Sequence, residues 1–424
     1  MYASGKFNFP TSVGSFSIAG LGFEPQGLVM IGSNKAVSGT LLTGLDGPGL
    51  FISVSGRDWQ TPGVVQTMSI SPNPNTLAGQ ITYRTSRVAP ISMPTDDTTA
   101  SVIDYRADGL SFDADGFSMI VTNAATGVRP VHWFAWDLPT AMVTDNFPPN
   151  NSFDAGFDAW SAMVLQTVAQ APFTEGYNDG ECWMSFGTGH YPEVAGFDAT
   201  RWRSSVIYTQ GIHTAFGDQG FTGEFVLSGS SGSDWTALDI ADVIDTIGPA
   251  LLEGFRRFRP YAEIASHSEF IDEGGGAGYN FQGALWKASE GWTGFVTIPA
   301  GGSVTVNHPS HFEEFSQVMF TTTDGITAPA FVNQAYGAGT LGYDDQGCIV
   351  FGNDGSLYQS NTECVAHCTA AGYSAASGYI YGPSFTLTST HAGLGDFTVV
   401  WHAWGGPARG WMPQMYRWWP RKPT

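Results

Sequence analysis

Three residues late in the chain have the spacing closest to a metal site. Cys364, His367 and Cys368 stand three and four apart, so two thiolates and an imidazole would share one face of a helix. A structural zinc wants four ligands, and Cys348 is the nearest fourth, yet the chain has no second Cys-x-x-Cys pair. The group therefore reads as ordinary packing, or at most a local disulfide. His308-Pro309-Ser310-His311 with Glu313 and Glu314 is weaker, because Pro309 spoils a helical His-x-x-His. Asp113-x-Asp115-Gly116 alternates oxygen ligands as a calcium loop does but lacks the later acidic positions, and a turn accounts for it. No metal or other cofactor is assigned. Gly-x-Ser-x-Gly and phosphate-loop signatures are missing from the sequence, and no βαβ unit of the dinucleotide-binding kind is read in it. A carboxylate-pair glycosidase stays open as an alternative, since the sequence does not show how far apart its 38 acidic residues stand. The expectation is a protein with no catalytic residue.

Charge narrows the partners. Asp and Glu (38) outnumber Lys and Arg (17), for a formal net charge of -21. Such a chain is repelled by phosphate backbones and anionic headgroups, so neither nucleic acid nor a membrane surface is expected as a partner. The N-terminus, Met1-Tyr2-Ala3-Ser4-Gly5-Lys6, lacks the apolar core of a signal peptide, and no run reaches the ~18 residues that span a bilayer. The sequence is thus expected to be soluble and made in the cytoplasm. With 42% apolar residues it should fold.

The elements that would carry any site are short strands. The 54 Gly and 24 Pro punctuate apolar runs of strand length, among them Ser15 to Ile18, Gly27 to Ile31, Leu50 to Val54, Gln66 to Ile70, Gln80 to Tyr83 and Phe117 to Val121. Asp46-Gly47, Asp108-Gly109, Asp115-Gly116, Asp179-Gly180, Asp324-Gly325 and Asp354-Gly355 suit type I′ hairpins. In Trp133-Phe134-Ala135-Trp136, period-two geometry sends Trp133 and Ala135 to one face and Phe134 and Trp136 to the other, so both faces of that strand should be buried. One stretch departs from the β pattern: Ile240, Val243, Ile244, Ile247, Leu251, Leu252, Phe255 and Phe258 recur at helical spacing, broken at Gly248-Pro249. Two short helices, 237–247 and 249–257, are predicted there. They compete with a closing strand at Trp235-Thr236-Ala237-Leu238-Asp239.

Phrases recur at long range. Gly22-Phe23-Glu24-Pro25-Gln26-Gly27-Leu28-Val29-Met30 is echoed by residues 156–164 and by Phe312-Glu313-Glu314-Phe315-Ser316-Gln317-Val318-Met319-Phe320. The ending His132-Trp133-Phe134-Ala135-Trp136 is echoed by Trp235 to Asp239 and by Trp401-His402-Ala403-Trp404. The fold expected is all-β: three tandem β-sandwich, jelly-roll-like modules with a short helical insert between the second and third. The predicted boundaries are 1–140, 141–245, a helical and Gly-rich connector 246–279, 280–410, and a tail 411–424.

The phrase from Gly14 through Gly20-Leu21-Gly22-Phe23-Glu24-Pro25 to Met30, then Ser111-Phe112-Asp113-Ala114-Asp115-Gly116-Phe117-Ser118, then a Trp-rich strand, resembles virion proteins of tailed bacteriophages, nearest to minor tail or tail-fibre-like proteins with tandem β-modules. The resemblance implies a non-enzymatic structural role in the virion, assembled in the host cytoplasm with other virion proteins and with copies of itself, and with host-surface glycan as a further contact. A head decoration or head-fibre protein is the alternative, and a cell-wall glycan-binding or glycan-hydrolysing protein a second. In the tail, Trp411, Tyr416, Arg417, Trp418 and Trp419 are the candidate interface residues, because they are aromatic and basic in an otherwise acidic chain.

Overall fold

The computed structural model describes residues 1–36, 39–44, 50–57, 63–73, 82–95, 102–147, 153–154, 162–168, 176–179, 182–190, 201–209, 257–258, 279–286, 290–307, 315–322, 335–342, 345–352, 356–382 and 384–405. Among them the structure is all-β, with no helix. A first set of strands runs β1 (Tyr2–Asn8), β2 (Gly14–Ala19), β3 (Gly27–Gly32), β4 (Phe51–Arg57), β5 (Val65–Asn73), β6 (Thr82–Ser86), β7 (Ile91–Pro94), β8 (Ile103–Asp113), β9 (Gly116–Asn123) and β10 (Pro130–Trp136). The second comprises β11 (Thr140–Phe147), β12 (Phe153–Asp154), β13 (Ala162–Val168), β14 (Gly176–Asp179), β15 (Cys182–His190), β16 (Arg201–Thr209), β17 (Arg257–Phe258) and β18 (Tyr279–Trp286). The third is β19 (Glu290–Ile298), β20 (Ser303–Asn307), β21 (Phe315–Thr322), β22 (Ala335–Gly342), β23 (Gln346–Gly352), β24 (Leu357–Ser360), β25 (Val365–Thr369), β26 (Gly372–Tyr381), β27 (Ser384–Ala392) and β28 (Phe397–Gly405).

The first and third sets share one topology. Their large sheets run β1-β10-β3-β4-β5-β6 and β19-β28-β21-β22-β23-β24, and their small sheets run β2-β9-β8-β7 and β20-β27-β26-β25. The middle set repeats what is described of that plan, β11-β18-β13-β15-β16 with the pair β12-β17. Each of the outer sets is a sandwich. In the first, Leu28, Met30, Phe51, Trp133 and Ala135 of the large sheet meet Ile91, Tyr105, Phe117 and Met119 of the small one. In the third, Val318, Phe320, Trp401 and Ala403 meet Val365, Ile380, Phe385 and Leu387.

Sequence pattern accounts for which sheet lies inside. β3, β4 and β10 read as almost unbroken runs of apolar and small residues, and they are buried on both faces. β2 and β20 alternate, and one face of each is exposed. As expected of Trp133-Phe134-Ala135-Trp136, Trp133 and Ala135 join the sandwich core while Phe134 and Trp136 point to a different cluster.

That second cluster is shared by all three sets. Trp136, Trp286 and Trp404, the residues placed alike near the ends of the three closing strands, converge there with Tyr2, Val54, Met142, Met319 and Ile349. Trp136 stacks on Trp286 with centroids 4.0 Å apart, and Trp286 lies 5.5 Å from Trp404. Phe134 stacks on Trp404 at 5.2 Å. The contacts run head to tail around this hub. β4 touches β11 and β18, β15 and β16 touch β19, β21 and β22, and β21 and β22 touch β1, which closes the ring. Exchanged segments reinforce it: β14, from the second set, extends the first large sheet by pairing with β6. Leu42, between β3 and β4, bridges Leu357 on the edge of β24.

Several expectations are corrected. β18 pairs with β11 and β13, so residues 280–286 close the middle sheet rather than opening the third module, and the closing role expected of Trp235 to Asp239 belongs to Tyr279–Trp286. Residues 235–239 themselves, and the predicted helices, lie outside the described residues except for Arg257, which pairs in a strand with Asp154. Of the six Asp-Gly hairpins, Asp115-Gly116 is displaced by one residue: Asp113 pairs with Gly116, leaving Ala114-Asp115 as the two-residue turn. Asp108-Gly109 forms a bulge instead, with Gly109 at φ 61 where the β8–β9 register shifts. In each of the other four, at least one residue lies outside the described set.

Replacing Trp286 with Ala should open a cavity where rings of all three sets meet. The expected cost is about 3–5 kcal/mol in urea unfolding. A loss under about 1 kcal/mol would show that the hub is not a shared core.

Candidate functional site

The expected site residues divide in three. Trp411, Tyr416, Arg417, Trp418 and Trp419 lie outside the described residues, as do His308, His311, Glu313 and Glu314. Cys348, Cys364 and Cys368 are buried thiols outside any disulfide. The helical face expected of Cys364, His367 and Cys368 is not formed, because β25 pairs along its length with β26 and a strand turns neighbouring side chains to opposite faces. Cys364 enters the third sandwich core and Cys368 a smaller cluster with Val350 and Tyr358. Burial raises the Cys348 and Cys364 thiols well above the ordinary range, which disfavours the thiolate that metal binding or attack requires. Among the described residues no three of His, Cys, Asp and Glu gather as a metal site.

Asp113 and Asp115 stand at the β8–β9 turn, and there Asp115 does a structural job. Its carboxylate accepts the N–H of Gly20 at 3.0 Å and that of Gly22, while its carbonyl accepts the N–H of Leu21 at 3.0 Å. Gly20 and Gly22 have φ of 92 and 72, a backbone that side chains disfavour, so the Gly-x-Gly spacing and the acid form one lock. Next to it Glu24 pairs with Arg57, whose guanidinium donates to the Phe112 carbonyl at 3.0 Å and covers the Phe112 ring. The two phrases that carry the family resemblance are thus the two sides of one end of the first sandwich.

Two further features had little sequence signal. One is the seam that closes the ring between the first and third sets. Lys6 pairs with Asp345 at 3.0 Å and donates to the Asn361 carbonyl at 3.1 Å, and Gln359 donates to the Lys35 carbonyl at 2.8 Å. His132 is buried in this seam, cross-strand from Lys6, with its ring against Gly347, where any Cβ would overlap the imidazole. Neither ring nitrogen has a hydrogen-bond partner among the described residues. Desolvation, aided by the Lys6 charge, lowers its pKa to about 4.

The other is the outer face of β20, β27 and β26. Registered rows read Ser303, Thr388, Ser377, then Thr305, Thr386, Tyr379, then Asn307, Ser384, Tyr381. Ser303 and Thr388, and Thr305 and Thr386, share hydroxyl bonds of 2.9 Å. Tyr379 and Tyr381 are 58% and 77% exposed, and no charged side chain interrupts the nine positions. The visible signal was the period-two string Tyr379-Ile380-Tyr381 opposite Ser384-Phe385-Thr386.

No protein-family model matches this sequence, and no functionally described protein matches it. Among solved structures, the crystal structure of exo-inulinase from Aspergillus awamori is similar at 8% identity over 95% of this chain and 84% of that one, with a TM-score of 0.12. So slight a likeness carries no argument about fold or activity.

Asp115→Ala should release the Gly20-Leu21-Gly22 loop. The expected cost is about 1 kcal/mol, modest because the carboxylate is solvent-exposed, with faster amide exchange at Gly20 and Gly22. Unchanged exchange at those amides would remove the lock from the account.

Proposed function

We propose that the chain is a non-enzymatic structural protein of a tailed bacteriophage particle, placed at the tail or tail tip and acting through assembly with other virion proteins. The observation that carries this reading is where the tryptophans go. A glycan hydrolase or lectin would set them in an open groove beside acids, whereas an assembly protein uses them in cores and subunit contacts. Trp133, Trp136, Trp286, Trp401 and Trp404 are at most 8% exposed, and three of them form the hub. Trp160, Trp183, Trp202 and Trp292, which bear on the same question, have no described side chains. The motif resemblance supports a virion setting, with a head decoration or head-fibre protein as the nearby alternative. Gold-labelled antibody against the chain should decorate the tails of intact particles. Labelling of heads alone would favour the alternative, and no labelling would overturn a virion role.

One observation favours a second contact, with host-surface glycan. The charge-free face around Tyr379 and Tyr381 offers two exposed tyrosines whose backbone positions stand about 6.8 Å apart along one strand, among paired hydroxyls that can still donate and accept outward. The face carries no charge, and a neutral saccharide does not need the opposite charge that a protein partner would exploit. On a glycan array the protein should bind neutral polysaccharide, and Tyr379→Ala with Tyr381→Ala should lose at least about tenfold in affinity, the loss of two stacked rings. Equal binding by wild type and variant would remove this contact.

A further inference from the structure

We propose that the seam between the first and third strand sets is an acid-released latch, with His132 as the group whose protonation opens it. Consecutive sets are joined through residues 137–139 and 287–289, but this seam is where the ring closes without a covalent link. It holds through the Lys6–Asp345 pair, the Leu42–Leu357 bridge, the Gln359 bond to the Lys35 carbonyl, and the packing of His132 on Gly347.

The geometry leaves no place for a second proton on the imidazole. Both nitrogens are buried without an acceptor among the described residues, so imidazolium would be a buried charge with no hydrogen bond from them to offset its desolvation. On β1 the facing group is Lys6, which repels it, and on β3 it is the apolar Ile31. From the third set Gly347 on β23 packs on the ring, and the acid of the seam, Asp345, has its carboxylate engaged by Lys6. Where the register of the three closing strands is followed, the positions equivalent to His132 carry Gln282 and Val400. The titratable residue occurs at the seam that must hold without a connector.

Direction follows from where the proton binds more tightly. Closed, His132 has a pKa of about 4, and opened to water it regains its ordinary 6.5. Above pH 6.5 it is neutral in both states and has no effect. As pH falls from 6.5 to 4 the open seam takes up a proton that the closed seam refuses, so opening is favoured, and below 4 the effect saturates. At pH 5 the open-to-closed ratio should be about 30-fold higher than at pH 8.

Hydrogen exchange of the full chain, corrected for the intrinsic pH dependence, tests this at pH 8 and pH 5. Peptides covering Tyr2–Asn8 and Gln346–Gly352 should lose protection at pH 5, while Ile103–Asp113 and Gly116–Asn123 keep theirs. His132→Phe, which keeps a ring and cannot protonate, should abolish the difference, and His132→Gln reads the same effect if the larger ring does not fit. An equal acid response in a folded variant, or a uniform loss across all four peptides, overturns the proposal. The wild type alone also decides it, because a response absent between pH 6.5 and 4, or confined below 4, is not that of this histidine.

Discussion

Everything in this fold depends on the two-sided burial of the large sheets. A sandwich normally covers one face of each sheet and leaves the other to solvent. Here β3, β4 and β10 carry apolar side chains on both faces, so a small sheet can satisfy only half of their need. The other half is met by the remaining strand sets of the same chain, at the hub of Trp136, Trp286 and Trp404. The same logic governs edges. An open edge strand exposes unpaired N–H and C=O groups, and β6 and β24 have theirs taken up by β14 and by the Leu42 bridge. In both cases the covering segment comes from the connection between the equivalents of the third and fourth strands of another set, so edge covering and hub packing run in a consistent direction round the ring.

Head-to-tail contacts either close into a ring or extend without limit. Carrying three sets on one chain settles this, because two of the three contacts become intramolecular between covalent neighbours, and the last seam is made at high effective concentration. That seam can therefore be weak and still close. Beside the Phe134–Trp404 stack of the hub, its contacts are of that kind: a partly exposed ion pair, one bridge, two side-chain bonds to carbonyls, and a histidine fitted against a glycine. Gly27 shows the same device inside the first set, since a Cβ there would overlap the Trp136 indole that enters the hub. The hub tolerates large rings only because small residues lie beneath them.

How much was legible in the sequence follows from which constraints are local. Strand positions were, because continuous and alternating apolar runs report burial on two faces or one, as Gly27–Gly32 and Gly14–Ala19 do. The third copy of the opening phrase was placed correctly as well. Through their closing-strand partners Val29 corresponds to Met319 and Met30 to Phe320, the alignment that the sequence suggests. The middle copy was misread at its end. Its closing strand, Tyr279–Trp286, carries Gly283 where the others have Trp133 and Trp401, so the repeated Trp-x-Ala-Trp string is lost and only Trp286 remains. That surviving residue is the one facing the hub, which all three sets must fill together, whereas the sandwich position can be refilled by its own neighbours. The seam around His132 was illegible because every group in it is ordinary in its own strand and acquires meaning only across more than two hundred residues of sequence.

The resemblance phrases carry a lesson about where function resides. Gly20-Leu21-Gly22 and Asp115 belong together because the acid holds a loop with positive φ, and Glu24 belongs with them because it pairs with Arg57 beside Phe112. These are requirements of building the first sandwich, so they identify a way of folding and leave the task of the surface open. The task is better sought where two sets of one topology differ. On the outer face of the first set, the positions matching the uncharged rows of the third hold Asp108 and Asp113, with Ile120 and a Ser111–Ser118 pair between them. No folding constraint separates these faces, since both small sheets have the same strand order and the same alternation. A charge-bearing face on one set and a tyrosine- and hydroxyl-bearing face on another therefore answer to something other than the fold, and under the proposed glycan contact the face with exposed rings is the one that would be used.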